Sequence, residues 1–246
     1  MHERPLAMKP PVVLYFLLRL MRYNEHMHKK LRRAEWLALA LIATSFVAAI
    51  IALPLLPARV PSHWNAAGEI DGYMPRGWGA FFMPVLSLVI LAILVIFPRI
   101  DPKRENIEKF RPYFDDFILA FLVFMSYFHL LTLAAGVGFT VNIVMPLVPA
   151  FAILFFVLGR LISHAEPNWT VGIRTPWTLS SETVWRKTHE MGGKLFRAAA
   201  VVGLLGLLFP SAAIWFILVP ILGTALTTVV YSYVEFRKEK RAMGNG

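Results

Sequence analysis

Six long apolar stretches, joined by connections that alternate between rich and poor in basic residues, restrict this chain to one solvent. The stretches cover residues 36–56, 79–97, 117–137, 141–162, 195–209 and 212–234. Most reach or approach the ~20 residues that cross ~30 Å of hydrocarbon as a helix. Of the 25 Lys and Arg, eight precede the first stretch, five separate the second from the third, six fill or flank the connection from the fourth to the fifth, and four follow the last. Only Arg59 and Arg76 stand on the other side. Basic residues near span ends resist translocation, so the pattern predicts an all-α bundle of six transmembrane helices with both termini in the cytoplasm.

Composition agrees, since 57% hydrophobic and 16% charged residues leave no room for a large water-soluble domain. A formal charge of +10 raises the question of nucleic acid. Its placement at the mouths of the spans is accounted for by orientation and by an anionic inner leaflet, so the expected partner is the lipid bilayer of a cell membrane, with no direct nucleic-acid binding. Without cysteine there is no disulfide framework and no thiol or Cys-based metal chemistry.

The expected organisation is a basic N-terminal segment 1–35, a two-span module 36–97 with an outer loop 57–78, a basic connection 98–116, a four-span module 117–234 with a cytoplasmic loop 163–194, and a basic tail 235–246. Residues 12–18 are apolar but too short to span, and no small-residue cleavage site follows them. The segment reads either as an interfacial basic helix or as sequence upstream of a start at Met27.

Pro84, Pro146, Pro149 and Pro220 interrupt spans, each removing a backbone hydrogen bond. Gly159, Gly203, Gly206 and Gly223 permit close helix contacts. His129 is the one ionisable side chain deep in a span, and an ionisable group in hydrocarbon is a functional suspect. The expectation is a hydrogen bond to a neighbouring helix through Asn142, Thr132 or Thr140. Asp115 and Asp116 lie 14 and 13 residues before it, ~20 Å along a helix, and are expected to pair with Arg111 or Lys109. The chain carries no nucleophile triad order, phosphate-binding glycine loop, zincin helix or dinucleotide fingerprint. Neither catalysis nor a cofactor is expected.

Two connections contain residues that bilayer physics does not require. In the outer one, Pro61-Ser-His-Trp-Asn65 is followed by Gly68-Glu-Ile-Asp-Gly-Tyr73, a turn-rich loop rather than a helix. His63, Glu69 and Asp71 offer nitrogen and oxygen donors to a divalent cation. Their spacing follows no metal motif, and Asn65, Gly68, Asp71 and Gly72 are what tight turns require, so turn structure is expected and a metal is not. In the cytoplasmic one, Ser180 or Ser181 caps a helix with Glu182 in its first turn, expected to end at Gly192-Gly193. Glu182 with Arg186, and Arg186 with Glu190, are spaced to pair, and Trp185 shares a face with Thr188, His189 and Gly192. Trp169, Trp177 and Trp185 fall within 17 residues and need cover. Packing on the bundle and headgroups, a docking face for a protein, and a solute site all supply it. Arg174 beside Thr175 suits an anion or lipid phosphate.

These two connections carry a resemblance. The outer loop resembles the N-terminal module of unknown function found in SdpI-type proteins. The run Asn168-Trp-Thr-Val-Gly-Ile-Arg-Thr-Pro-Trp-Thr-Leu-Ser-Ser-Glu-Thr-Val-Trp-Arg-Lys-Thr-His189, followed by Gly192-Gly-Lys-Leu-Phe196, resembles the signature of the SdpI family itself. The likeness extends over residues 27–235; the preceding segment departs from it. It implies a six-span bacterial membrane protein that confers immunity to a toxic peptide and holds an ArsR-type repressor at the membrane. Asn168, Trp169, Gly172, Arg174, Thr175, Trp177, Glu182, Trp185, Lys187, His189 and Gly192 then form the candidate partner site, with Pro61, His63, Trp64, Asn65, Gly68, Glu69, Asp71 and Gly72 as its outer counterpart. A transporter for a small solute or lipid is the alternative, with Pro146, Pro149 and Pro220 at broken helices and His129 along the path.

Overall fold

Residues 31–139 and 142–244 are described by a computed structural model. Segment 1–30, with both readings of its role, lies outside the described residues, as do Thr140, one expected partner of His129, and Val141. Six described helices are long and apolar enough to cross a membrane. They are α1 (Arg33–Ala52, extended by a 3-10 turn Leu53–Leu55), α2 (Arg76–Ile100), α4 (Arg111–Gly136), α5 (Val144–His164), α7 (Glu182–Leu204) and α8 (Ala213–Gly244). Short helices α3 (Arg104–Lys109) and α6 (Pro176–Ser180) lie between them, and 3-10 turns Leu205–Leu208 and Pro210–Ala212 join α7 to α8. Among the described residues the only strands are β1 (Arg59–Trp64) and β2 (Ile70–Pro75), an antiparallel hairpin between α1 and α2.

Charge pairs show which helix ends lie together. Glu35, in the first turn of α1, is 1% exposed and accepts from Arg99 at the end of α2 at 2.6 Å and from Arg111 at the start of α4 at 3.1 Å. Arg111 also holds Asp115 at 2.6 Å. Asp116 does not use α4 or α3 as expected; it faces Arg160 of α5 at 3.8 Å. At the same end the ring of Tyr113 stacks on that of His164, and Lys187 of α7 meets Glu235 of α8 at 2.7 Å. Successive spans therefore alternate in direction, with the hairpin at the opposite end.

Helices α1, α2 and α4 pack around Ile42, Leu91, Ile118 and Leu122. Helices α5, α7 and α8 pack around Val148, Phe155, Ala200 and Ile217, and α4 meets α5 through Phe124 and Phe151, 4.7 Å between ring centroids. The outward faces carry exposed Ile51, Val89, Ile153, Val201, Leu222 and Leu226, an apolar surface suited to acyl chains.

Gly192-Gly193 does not end a helix. Helix α7 continues through both into the fifth span, because these glycines serve packing. A Cβ on Gly193 would collide with Ser163 Oγ, and one on Gly159 would stand 2.8 Å from the Gly193 carbonyl. Only the missing side chains allow α5 and α7 to approach so closely. A Cβ on Gly206 would stand 3.1 Å from the Ala213 carbonyl, a close contact, whereas one on Gly223 would meet nothing within 4 Å. Pro84, Pro149 and Pro220 are inside helices. Pro146 instead occupies the first turn of α5, where its missing N–H leaves no gap.

His129 explains one of these prolines. Pro84 has no N–H to give to the carbonyl of Ala80 four residues earlier. The fully buried His129 Nε2 lies 3.0 Å from that carbonyl, so Nε2 carries the hydrogen and donates it. The partner is thus a backbone carbonyl and not Asn142 or Thr132. Asn142 accepts from Val144 N–H, and Thr132 donates to the carbonyl of His129 itself.

Two stability measurements in detergent follow. Glu35→Ala leaves Arg111 short of a buried partner and is expected to cost on the order of 3 kcal/mol; unchanged thermal melting contradicts that. His129→Leu is expected to cost roughly 1–3 kcal/mol by orphaning the Ala80 carbonyl, and clearly less in a Pro84→Ala background, where the restored N–H takes over. Equal costs in the two backgrounds contradict the pairing.

Candidate functional site

The tryptophan-rich connection from α5 to α7 is a cap bonded to four other parts of the bundle. It begins with Asn168, 2% exposed, whose Oδ1 accepts the N–H groups of Thr170 and Val171 at 2.8 and 2.6 Å, while Nδ2 donates to the carbonyls of Glu166 and Val171 at 2.8 Å each. One side chain thereby supplies the backbone partners that a non-helical turn lacks. Asp101, buried just after α2, anchors this turn: it accepts from Trp169 N–H at 2.9 Å and from the Thr170 hydroxyl at 2.5 Å. Asn106 of α3 adds a bond to the Pro167 carbonyl at 2.8 Å.

The centre of the cap is Trp185 stacked on His189, with ring centroids 4.0 Å apart. Trp185 Nε1–H donates to the Ala165 carbonyl at 2.7 Å. His189 Nε2 accepts from Ile173 N–H at 2.9 Å, and His189 Nδ1 lies 2.8 Å from the Trp185 carbonyl. A backbone N–H can only donate, so the imidazole is neutral with its hydrogen on Nδ1. Gly172 lies against this pair at φ +130°, where a Cβ would stand 2.5 Å from His189 Nε2. Backbone strain and collision both reserve the position for glycine. A Cβ on Gly192 would likewise press on Ile173 at 2.5 Å.

Beyond Gly172 the chain turns into α6. Thr175 caps it, exchanging bonds with Thr178 and meeting Ser232 of α8 at 3.0 Å. The Trp177 ring lies 5.1 Å from that of Tyr233. Ser181, not Ser180, caps α7, and Arg186 pairs with Glu190 at 3.4 Å. Lys187 and Lys238 both hold the buried Glu235 at 2.7 Å. Trp185 lies on the helix and on the face expected of it, and that face is turned inward with His189, Thr188 and Gly192. Trp169 is different. Its N–H is held by Asp101 and its carbonyl by Arg174 Nη1 at 2.5 Å, while its side chain is 52% exposed. Glu182, Arg186 and Lys187 are exposed too. A cleft of about 630 Å³ opens beside the cap, among α3, the end of α5 and the first turns of α7.

Glu35, Asp101, Asn106, Ser232 and Glu235 join these networks without belonging to either motif. For Glu35, Asp101 and Glu235 the one available signal was a carboxylate placed among basic residues at the edge of an apolar run; Asn106 and Ser232 had none.

At the other end, Pro61 and Val60 of β1 are buried, Val60 among Ala49, Leu56, Ala80 and Leu133. Asn65 Oδ1 accepts from Ala67 and Glu69 N–H, and Gly68 turns the chain at φ +81°. Gly72 is required by the approach of its strand to His63, whose Cβ would be 2.8 Å from an added one. Asp71 pairs across the hairpin with His63 at 2.5 Å, and Glu69 is held by Asn65 at 2.9 Å. The three donors are thus divided between two separate contacts, and no cluster of three metal-ligating acids or histidines occurs among the described residues. Trp64 sits edge-on to Phe128, with its indole N–H buried and unpartnered.

A bundle of six apolar helices with a bonded cap at one end and a hairpin at the other defines a multi-pass helical membrane protein. Residues 164–233, from the first residues of the cap to Tyr233, match the SdpI/YfhL protein family. Residues 40–88, spanning most of α1, the hairpin and half of α2, match a domain of unknown function, DUF1648. The immunity protein SdpI of Bacillus subtilis (strain 168) is 23% identical over 203 residues, covering 82% of this chain and 95% of that protein. The chain is accordingly a multi-pass membrane protein that is similar to SdpI over most of its length. No solved structure matches it.

The cap's dependence on Gly172 is directly measurable. Gly172→Ala is expected to lower stability by about 1–3 kcal/mol and to shift the fluorescence of the Trp185 environment; a variant indistinguishable from the parent by both readouts contradicts the packing described.

Proposed function

We propose that this protein is an immunity and signalling protein of the bacterial cell membrane, with its capped end in the cytoplasm. The hairpin end meets a toxic peptide, and the capped end docks an ArsR-type repressor. The orientation is supported by the basic residues that ring the capped end, and the immunity role by the likeness to SdpI of B. subtilis.

The observation that carries the docking role is Trp169. Asp101 and Arg174 lock its backbone on both sides while its ring stands out from the cap. A large aromatic held rigidly outward loses little entropy on contact, which is the property of an interface anchor. Of the residues in the signature, Trp169, Arg174 and Glu182 are the exposed ones on this side, while Lys187 is turned to Glu235 of α8 and Trp177 is half-buried against Tyr233. Asn168, Gly172, Thr175, Trp185, His189 and Gly192 shape it from beneath. A toxin shifts this face only by binding one arrangement of the helices more tightly than another. The reading needs no catalytic group.

Trp169→Ala and Arg174→Ala are expected to insert normally but to lose membrane retention of a fluorescently tagged ArsR-type repressor from the same host in toxin-treated cells. Retention at the parental level in both variants removes the docking role. Deletion of the protein is expected to increase sensitivity to membrane-active peptides; unchanged sensitivity removes the immunity role.

A further inference from the structure

We propose that the cleft beside the cap binds a zwitterionic phosphoethanolamine group, with its phosphate on the basic residues and its ammonium on the acidic ones. The proposal goes beyond the docking role and does not depend on it. The cleft, about 630 Å³, lies within the size range of small-ligand sites. Its walls carry charges of both signs: Lys109 and Arg186 against Glu166, Glu182 and Glu190.

Opposite charges lining one cleft usually neutralise one another, but most of these do not. Lys109, Glu166 and Glu182 make no ion pair among the described residues. Arg186 and Glu190 meet at 3.4 Å with both side chains more than half exposed. Lys109 is held away from the carboxylates because its Nζ donates to Asn106 Oδ1 at 2.7 Å, while Asn106 Nδ2 is tied to the Pro167 carbonyl at 2.8 Å. The floor is equally fixed: Trp185 and His189 have every ring nitrogen engaged. The result is a preorganised cleft with unneutralised acid and base. A ligand that carries both charges a few ångströms apart satisfies both, whereas a simple anion or cation leaves the other sign unmatched. Charge-assisted hydrogen bonds to phosphate and ammonium are the strong ones.

Position favours a headgroup. Arg160 and Arg197, on α5 and α7, lie inside the ends of the apolar runs. The cleft residues of α7 begin at Glu190, seven residues or ~10 Å further along the helix, which is the depth of the headgroup layer. A soluble zwitterion has the same chemistry, and the experiment separates the two sources.

The full-length protein is reconstituted with equal phosphatidylethanolamine and phosphatidylglycerol, and the lipid retained through detergent washing is counted by native mass spectrometry. Phosphatidylethanolamine is expected to be kept at least tenfold over phosphatidylglycerol, and Lys109→Gln or Glu182→Gln, both at exposed positions, to reduce that preference at least fivefold. Equal retention of the two lipids by the parent protein overturns the proposal, as does an undiminished preference in both variants. Glycerophosphoethanolamine is then added to the parent protein, so the site is tested even where a variant folds poorly. Displacement of the lipid supports a site for the headgroup alone; retention of the preferred lipid supports one that needs the bilayer-borne molecule.

Discussion

Hydrocarbon offers no partner to a charge or to a free backbone group, so a chain solvated by it must do its polar business inside itself or at its ends. In this protein that constraint sorts almost everything. Within the spans the few polar atoms repair local faults, as when His129 on α4 satisfies the carbonyl that Pro84 leaves open on α2. At one end, Glu35 gathers Arg99 and Arg111, and Glu235 gathers Lys187 and Lys238. Each carboxylate ties helices together where water and headgroups begin. The ends of five of the six spans are thereby linked through buried acids before any loop is considered.

The cap builds on those links. Its density of Trp, Asn, Thr and Gly is a consequence of folding a non-helical segment onto a bundle mouth, where every N–H and C=O needs a partner. Asn168 and Asp101 supply those partners for the turn, His189 for Ile173, and Trp185 for Ala165. Gly172 lets backbone approach ring, and Gly159 with Gly193 lets helix approach helix. What remains after this internal accounting is a small rigid face around Trp169 and a charged cleft next to it.

The six spans and their alternation were legible because apolar length and basic flanks report directly on a bilayer. The hairpin was legible as turns but not as strands: β1 buries Val60 and Pro61 and carries Trp64, and no simple alternation announced it. Helix α7 was misjudged at Gly192-Gly193 because an adjacent glycine pair carries the same signal whether it stops a helix or receives a neighbouring one. Only the position of Gly159 and Ser163 on α5 distinguishes the cases. For the signature, residue identity was legible while direction was not. Trp185 and Trp169 are equal in the sequence, and three-dimensional neighbours alone make one a core residue and the other an exposed anchor. Glu35 and Asp101 escaped notice since a single acid among bases at a span edge looks like ordinary surface.

Contact with an intracellular repressor requires the capped end to face the cell interior and the hairpin to face outward. The chain has no cysteine, so single reporters are clean: Ala66→Cys in the hairpin turn and Ser180→Cys at the end of α6. With a membrane-impermeant maleimide, A66C is predicted to label in intact cells and S180C only after permeabilisation. Labelling of S180C in intact cells, with A66C protected, would place the cap outside and contradict its proposed contact with an intracellular repressor.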